Sequence, residues 1–204
     1  MVTIPDVFII ESLDPDDEGN GRFEGSVISN MLRFHGKSPK RYVRTRDEFE
    51  KSLKEFGESN YRYLHVSAHG DQEGMVTTNL EEIDFDELSD LLKPFLNNKR
   101  LFLSACAMVH EDFAAHLIPN TGCFSVIGPE DDIHFHKAAI FWASVYHLMF
   151  SKDSKGFNRP HLKEMLRKAS KLLEVNVRYF SKAPNLKQGF REDVLHPNRK
   201  IATP

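Results

Sequence analysis

Two short motifs in this 204-residue chain carry residue types able to do covalent chemistry. Tyr61-Arg62-Tyr63-Leu64-His65-Val66-Ser67-Ala68 is an aromatic and β-branched run suited to a strand, and it stops at His69-Gly70. Leu101-Phe102-Leu103-Ser104-Ala105 is a buried-strand pattern that stops at Cys106. A thiol is a weak nucleophile while protonated. A neighbouring imidazole can lower its pKa, withdraw its proton, and later protonate a leaving amine. Glycine after the histidine lets the backbone come close to a substrate carbonyl. The N–H groups of Gly70 and Cys106 would then point at the developing oxyanion, where each such donor is worth about 3 kcal/mol. All of this requires the two strands to be neighbours, so that His69 and Cys106 face one crevice.

The elements that must position them alternate along the chain. Val7–Ile10 reads as a buried strand, followed by a polar loop from Glu11 to Gly21 and a helix burying Phe23, Val27, Met31 and Phe34. Arg41–Arg44 is a weaker strand. Thr45 and Glu48 have the spacing of a capping box, opening a helix that buries Phe49, Leu53 and Phe56. Met75–Thr78 is read as a hairpin arm, and Asp84 starts a capped helix through Leu88, Leu91 and Leu92. Cys123–Ile127 is the next strand, broken by Gly128-Pro129, and an apolar helix runs from Ala138 to Phe150. Strands separated by helices imply an α/β fold, a three-layer αβα sandwich around a mostly parallel sheet. Its sites lie beyond the C-terminal strand ends. Residues 1–150 are read as this domain. Residues 151–204 are read as a basic extension: a connector, an amphipathic helix from Leu162 to Val177, and a tail from Ser181 with little regular structure.

Composition narrows the function. Apolar residues make up 40% and charged ones 28%, enough for a sizeable core and against wholesale disorder. Two cysteines build no disulfide framework, which favours a reducing, cytoplasmic setting, and Cys123 is read as core. The N-terminus lacks the pattern of a secretory leader, and residues 137–150 fall short of the roughly 20 apolar residues of a membrane span, so no membrane association is expected. Residues 155–204 hold 12 Lys and Arg against 4 Asp and Glu, a balance of +8, while residues 1–154 carry −11. The basic segment binds an acidic partner, lies against the body, or is a merely solvated tail; nucleic acid is the weaker choice of partner. The loop after the first strand crowds Glu11, Asp14, Asp16, Asp17 and Glu18 where a phosphate cradle needs glycines, so a nucleotide cofactor of the Rossmann or P-loop kind is disfavoured and no cofactor is expected. His134-x-His136 has no third ligand at a typical spacing, so no metal is expected. His65 is read as packing. Asp71 either tunes His69 or solvates its loop. The acidic crowd, with Asp14 and Asp16 foremost, would attract a basic peptide segment.

The motif Leu64-His65-Val66-Ser67-Ala68-His69-Gly70 followed by Leu101-Phe102-Leu103-Ser104-Ala105-Cys106 resembles the caspase-hemoglobinase group of cysteine peptidases, clan CD. The forms Ser-Ala-His-Gly and Leu-Ser-Ala-Cys resemble its short bacterial and CHAT branches, as does Gly128 followed by a helix with Phe141-Trp142 and Tyr146-His147-Leu148. The resemblance spans roughly residues 5–150. It implies a caspase-like endopeptidase with Cys106 as nucleophile, His69 as its partner, and a protein or peptide as substrate. CHAT domains carry an acidic residue soon after that glycine, where this chain has His134 or Phe135; Asp131 and Asp132, a few residues earlier, are the substitutes. The segment after Cys106 is too short for the cleavable linker of animal caspases. Activation is therefore expected from a ligand, such as a regulating nucleotide, or from a partner protein, in a bacterial stress or antiviral defence setting. The rival reading is a catalytically silent relative that binds a ligand or partner through the same crevice.

Overall fold

Local signals start most elements. A computed structural model describes residues 3–37, 40–153 and 158–197. Strand β1 (Ile4–Ser12) leads into a single turn, α1 (Pro15–Gly19), and then α2 (Glu24–Arg33) and β2 (Lys40–Tyr42). The Thr45 hydroxyl accepts the Glu48 N–H while the Glu48 carboxylate accepts the Thr45 N–H, opening α3 (Arg46–Ser59). Strand β3 (Tyr61–Gly70) follows, with a side hairpin β4 (Gly74–Val76) and β5 (Glu82–Asp84). Asp84 caps α4 (Phe85–Leu92) through the Glu87 N–H. Then come β6 (Arg100–Ser104), α5 (Glu111–Thr121), β7 (Ser125–Pro129), α6 (Phe135–Lys152), α7 (Arg159–Leu173), β8 (Val177–Lys182) and β9 (Phe190–Leu195).

The sheet order is β2-β1-β3-β6-β7-β8-β9. The first five strands run parallel, and β8 and β9 each run antiparallel to the strand before. Helices α3, α4 and α5 cover one face over Phe8, Leu64, Val66, Leu101 and Leu103. Helices α2, α6 and α7 cover the other over Val7, Ile9, Tyr63, Phe102 and Ile127. The expected αβα layering is present.

Three sequence expectations are corrected. The buried face of α2 is Glu24, Gly25, Ile28, Ser29 and Leu32, whereas Val27 is 46% and Phe34 92% exposed. That face mixes apolar residues with a carboxylate, a glycine and a serine, so hydrophobic periodicity assigns it to the wrong side. The stretch from Glu11 is not all loop, because β1 continues to Ser12 and α1 follows. Beyond Ser181 the chain is not irregular, since β8 and β9 complete the sheet. The edge strand β9 has buried apolar residues only at its ends, Phe190 and Leu195, which leaves almost no alternation to read. Leu162, Met165, Val177 and Tyr179 share a core with Val7 and Ile9, so packing continues across residue 150. The connector residues 154–157 and the tail beyond Pro197 lie outside the described residues.

Lys99, just before β6, is 7% exposed, with its ammonium 3.9 Å from the centre of the Phe56 ring and 3.4 Å from the Phe56 carbonyl oxygen. Burial pulls its pKa down to about 8. Between that value and the ordinary lysine pKa the unfolded chain binds more protons, so stability rises with pH through this window. Lys99→Met, which keeps the packed stem and removes the charge, is expected to stabilise the protein by about 1–3 kcal/mol at pH 7. The advantage should shrink as the pH approaches 10; urea midpoints at pH 7 and 10 check both statements.

Candidate active site

Register brings the two motifs together. Strands β3 and β6 are parallel neighbours with Ser67 opposite Ser104. His69 lies two residues further on within β3, and Cys106 two residues further on in the turn that follows β6. They line one open cavity of about 760 Å³ with Asp17, Arg22, Glu24 and Asp132 among the other walls. Gly70 is needed for the close approach of the two strand ends: a Cβ there would stand 2.7 Å from the Gly74 carbonyl oxygen and 3.2 Å from Ala105. The Asp71 N–H donates to the Gly74 oxygen, which makes that the hydrogen-bonded pair of the β3–β4 ladder. At the adjacent pair, Gly70 and Met75, the Gly70 N–H therefore points away from β4. The Asp71 carboxylate accepts the Glu73 and Gly74 N–H groups, so its work is to turn the hairpin.

His69 is held from two sides. Its Nε2 is 2.5 Å from Asp17 Oδ2 and 3.2 Å from Asp14 Oδ2, and the Phe135 ring packs edge-on at 4.9 Å between centroids. Sequence explains the carboxylates: Asp14 caps α1, Pro15 opens it, and the Asp17 N–H donates to Asp14 Oδ1 at 2.7 Å. Arg22 donates to Asp17 Oδ1 at 2.5 Å. Burial pushes the Asp17 carboxyl up, but hydrogen bonds from Arg22 and His69 outweigh it and hold the group below its ordinary value. Nε2 is thus the ring nitrogen that the two carboxylates engage. Asp14, Asp17 and His69 offer atoms within 4.8 Å of one another, a donor set of the kind that takes a divalent cation. Both Asp17 oxygens and both Asp14 oxygens already accept from His69, Arg22 or the α1 backbone, so the cluster reads as a clamp on the imidazole.

Cys106 is half-buried, its Sγ 3.9 Å from the Ile133 carbonyl oxygen. Burial pushes its pKa up and the neighbouring Asp132 pushes it further. The thiol thus rests protonated and needs a base, which is the role its position opposite His69 would fill. Ala107, the next residue, has φ +49°, a left-handed conformation uncommon outside glycine and frequent at functional turns. Cys123 is fully buried with its pKa pushed up to about 12, the core residue expected.

Beside His69 and Cys106 lies a buried polar cluster. Glu24 is 2% exposed; its Oε1 is 3.1 Å from His65 Nε2 and its Oε2 accepts the Ser104 hydroxyl at 3.0 Å. His65 Nδ1 meets the Tyr146 hydroxyl at 2.9 Å. His65 therefore does more than pack, since it holds a carboxylate that opens on the cavity.

The four acids expected to bind substrate separate. Asp132 lines the cavity. Asp131 accepts from Asn176 Nδ2 at 2.8 Å and stands outside the lining, and Asp16 is exposed on α1, also outside it. Asp14 is committed to α1 and His69. Sequence reasoning missed Asp17 and Glu24 as site residues. A signal for the first existed, because Asp14-Pro15-x-Asp17 is a helix-start pattern that fixes its acid three residues on. Glu24 had none, since its partners lie 41 and 80 residues away.

No protein-family profile matches the chain, and no curated protein matches it. Solved structures do. An inactive zymogen of a C11 protease from Parabacteroides distasonis aligns with 89% of this chain at TM-score 0.58 and 11% identity, and the chain spans 63% of that protein's length. A secreted C11 cysteine protease from Bacteroides thetaiotaomicron, "iotapain", aligns with 89% of the chain and 67% of its own length, at TM-score 0.61 and 9% identity. A secreted C11 cysteine protease from Bacteroides thetaiotaomicron in complex with an irreversible peptide inhibitor aligns over 87% of the chain and 66% of its own length, at TM-score 0.55 and 12% identity. The fold is that of the clan CD, caspase-hemoglobinase group. Within it, this chain sets a histidine and a cysteine at the ends of two adjacent central strands.

Proposed function

We propose that the chain is a cysteine endopeptidase of the caspase-hemoglobinase kind, cleaving protein or peptide substrates through a thioester on Cys106. His69 takes the thiol proton and returns it to the leaving amine, while the Gly70 and Cys106 N–H groups hold the oxyanion. One observation carries this: two neighbouring in-register strands lead to an imidazole and a thiol that line one cavity, and the imidazole is clamped by Asp17. The short bacterial and CHAT branches share the strand-end motifs, and with them goes the expectation of a cytoplasmic enzyme of stress or defence. The segment from Cys106 to β7 is taken up by turns and α5, which supports activation by a ligand or partner over cleavage there.

The same cavity favours a basic side chain before the scissile bond. Glu24 and Asp132 supply the negative charge, and Phe135 stands on His69 where related CHAT domains have their acid.

Mass mapping after limited alkylation tests the reaction. A peptidyl-arginine chloromethylketone should label Cys106 far faster than it labels a free thiol, and His69→Ala should remove that advantage. Equal labelling of the two chains would leave a silent binding module of the same fold. Glu24→Gln, which keeps hydrogen-bonding partners for His65 and Ser104, tests the preference. Loss of a charged contact worth roughly 1.5–3 kcal/mol should cut selectivity for arginine over glutamine before the scissile bond by about 10- to 100-fold. Unchanged selectivity would remove Glu24 from substrate recognition.

A further inference from the structure

Glu24 is held at the cavity by residues that lie behind it. It is the first residue of α2, where the partial positive charge of a helix N-terminus favours an anion. Its Oε2 accepts the Ser104 hydroxyl from β6, and its Oε1 faces His65 Nε2 from β3. His65 Nδ1 in turn meets the Tyr146 hydroxyl from α6. Glu24 and Ser104 line the cavity, whereas His65 and Tyr146 are fully buried behind them. The Trp142 ring packs against the imidazole edge to face, at 5.5 Å between centroids. Four elements therefore converge on one carboxylate.

The partners place the protons. Burial, with the nearby Glu24 charge adding to it, pushes the Tyr146 pKa well above the ordinary tyrosine value, so the phenol keeps its proton. A phenol that donates to Nδ1 leaves the imidazole proton on Nε2, where it points at Glu24 Oε1. This arrangement satisfies both ring nitrogens with one buried charge, the carboxylate. The other neutral tautomer would turn a bare nitrogen lone pair toward the same oxygen. A carboxylate has about four acceptor sites, and His65 and Ser104 fill two of them, so capacity remains for a cation that enters the cavity. We propose that His65 and Tyr146 are positioning residues for substrate choice: one donor chain, from Tyr146 through His65 to Glu24, keeps the carboxylate ionised and aimed at an entering guanidinium or ammonium group. This rests on the preference for a basic side chain stated above.

The test reads how well two small ligands protect Cys106 of the whole chain from iodoacetamide: N-acetyl-arginine amide and its uncharged analogue, N-acetyl-citrulline amide. Protection needs no turnover. Wild type should favour the arginine derivative. Tyr146→Phe keeps the ring and removes the donor, and it should reduce that preference about five- to tenfold, the worth of one hydrogen bond in the chain. His65→Gln, whose amide can accept from the phenol and donate to the carboxylate, should keep most of the preference that His65→Leu loses. In a Glu24→Gln chain the preference should already be low, and adding Tyr146→Phe should change nothing further, the signature of residues that act through one another. An unchanged preference in Tyr146→Phe, or an equal fall in protection by both ligands, would overturn the proposal and leave the basic preference in place. A preference that survives Glu24→Gln would instead remove Glu24 from substrate recognition, and the donor chain with it.

Discussion

His69→Ala is expected to lower peptide hydrolysis by about 10²- to 10⁴-fold, the usual worth of a positioned general acid and base. Cys106 is the reason to expect the upper half of that range. Its pKa is raised by burial and by Asp132, so little thiolate exists at neutral pH unless a base removes the proton. The pH profile separates this from a folding defect. In wild type, His69 supplies the base, so alkylation of Cys106 at neutral pH should run well ahead of the variant. In the variant, alkylation should climb about tenfold per pH unit and keep climbing past the ordinary thiol range, because a raised thiol pKa means the thiolate disappears as the pH falls. Cys106→Ala should abolish hydrolysis and labelling together. A flat, high rate of labelling in His69→Ala would mean that some other group activates the thiol.

Asp17→Asn should cost nearly as much, again about 10²- to 10⁴-fold in kcat/KM, by losing the anion that orients the imidazole and stabilises its protonated form. The contact it removes is 2.5 Å long, between an almost wholly buried carboxylate and a partly exposed imidazole. Asp14→Asn should cost only a few-fold, since that carboxylate stands at 3.2 Å and is a third exposed. The two variants form a matched pair, so comparable losses would argue that α1 has come apart rather than that His69 has lost its clamp. Stability supplies the second readout. The Asp17 pKa is depressed in the folded protein, so its contribution is present above the ordinary carboxylate pKa and is lost as the pH falls through the folded value. Wild type and Asp17→Asn should therefore differ in Tm at pH 7 and converge only in acid below the folded-state value. A Tm gap that persists in acid would show that the asparagine damages packing.

Legibility followed the range of the interactions. The capping box at Thr45, the N-cap at Asp84, and the strands that lead to His69 and Cys106 depend on residues a few positions apart, and the structure has them. The face of α2 was misread because Glu24, Gly25 and Ser29 are polar or small yet lie against the sheet. The helix N-terminus is held there by the Glu11 carboxylate, which accepts the Gly25 N–H at 2.6 Å. Strands β8 and β9 were missed because the edge strand's charges, including Asp193 paired with Lys163 at 2.6 Å, disguise its alternation.

What the amino-acid order determined alone was the pairing of chemistries: a strand that leads to an imidazole and a strand that leads to a thiol. Tertiary structure decided which strands are neighbours and in what register. It also chose the carboxylate that clamps His69. Register, helix phase and ion pairing join residues tens of positions apart, and their free energies come from burial and charge that no local pattern contains.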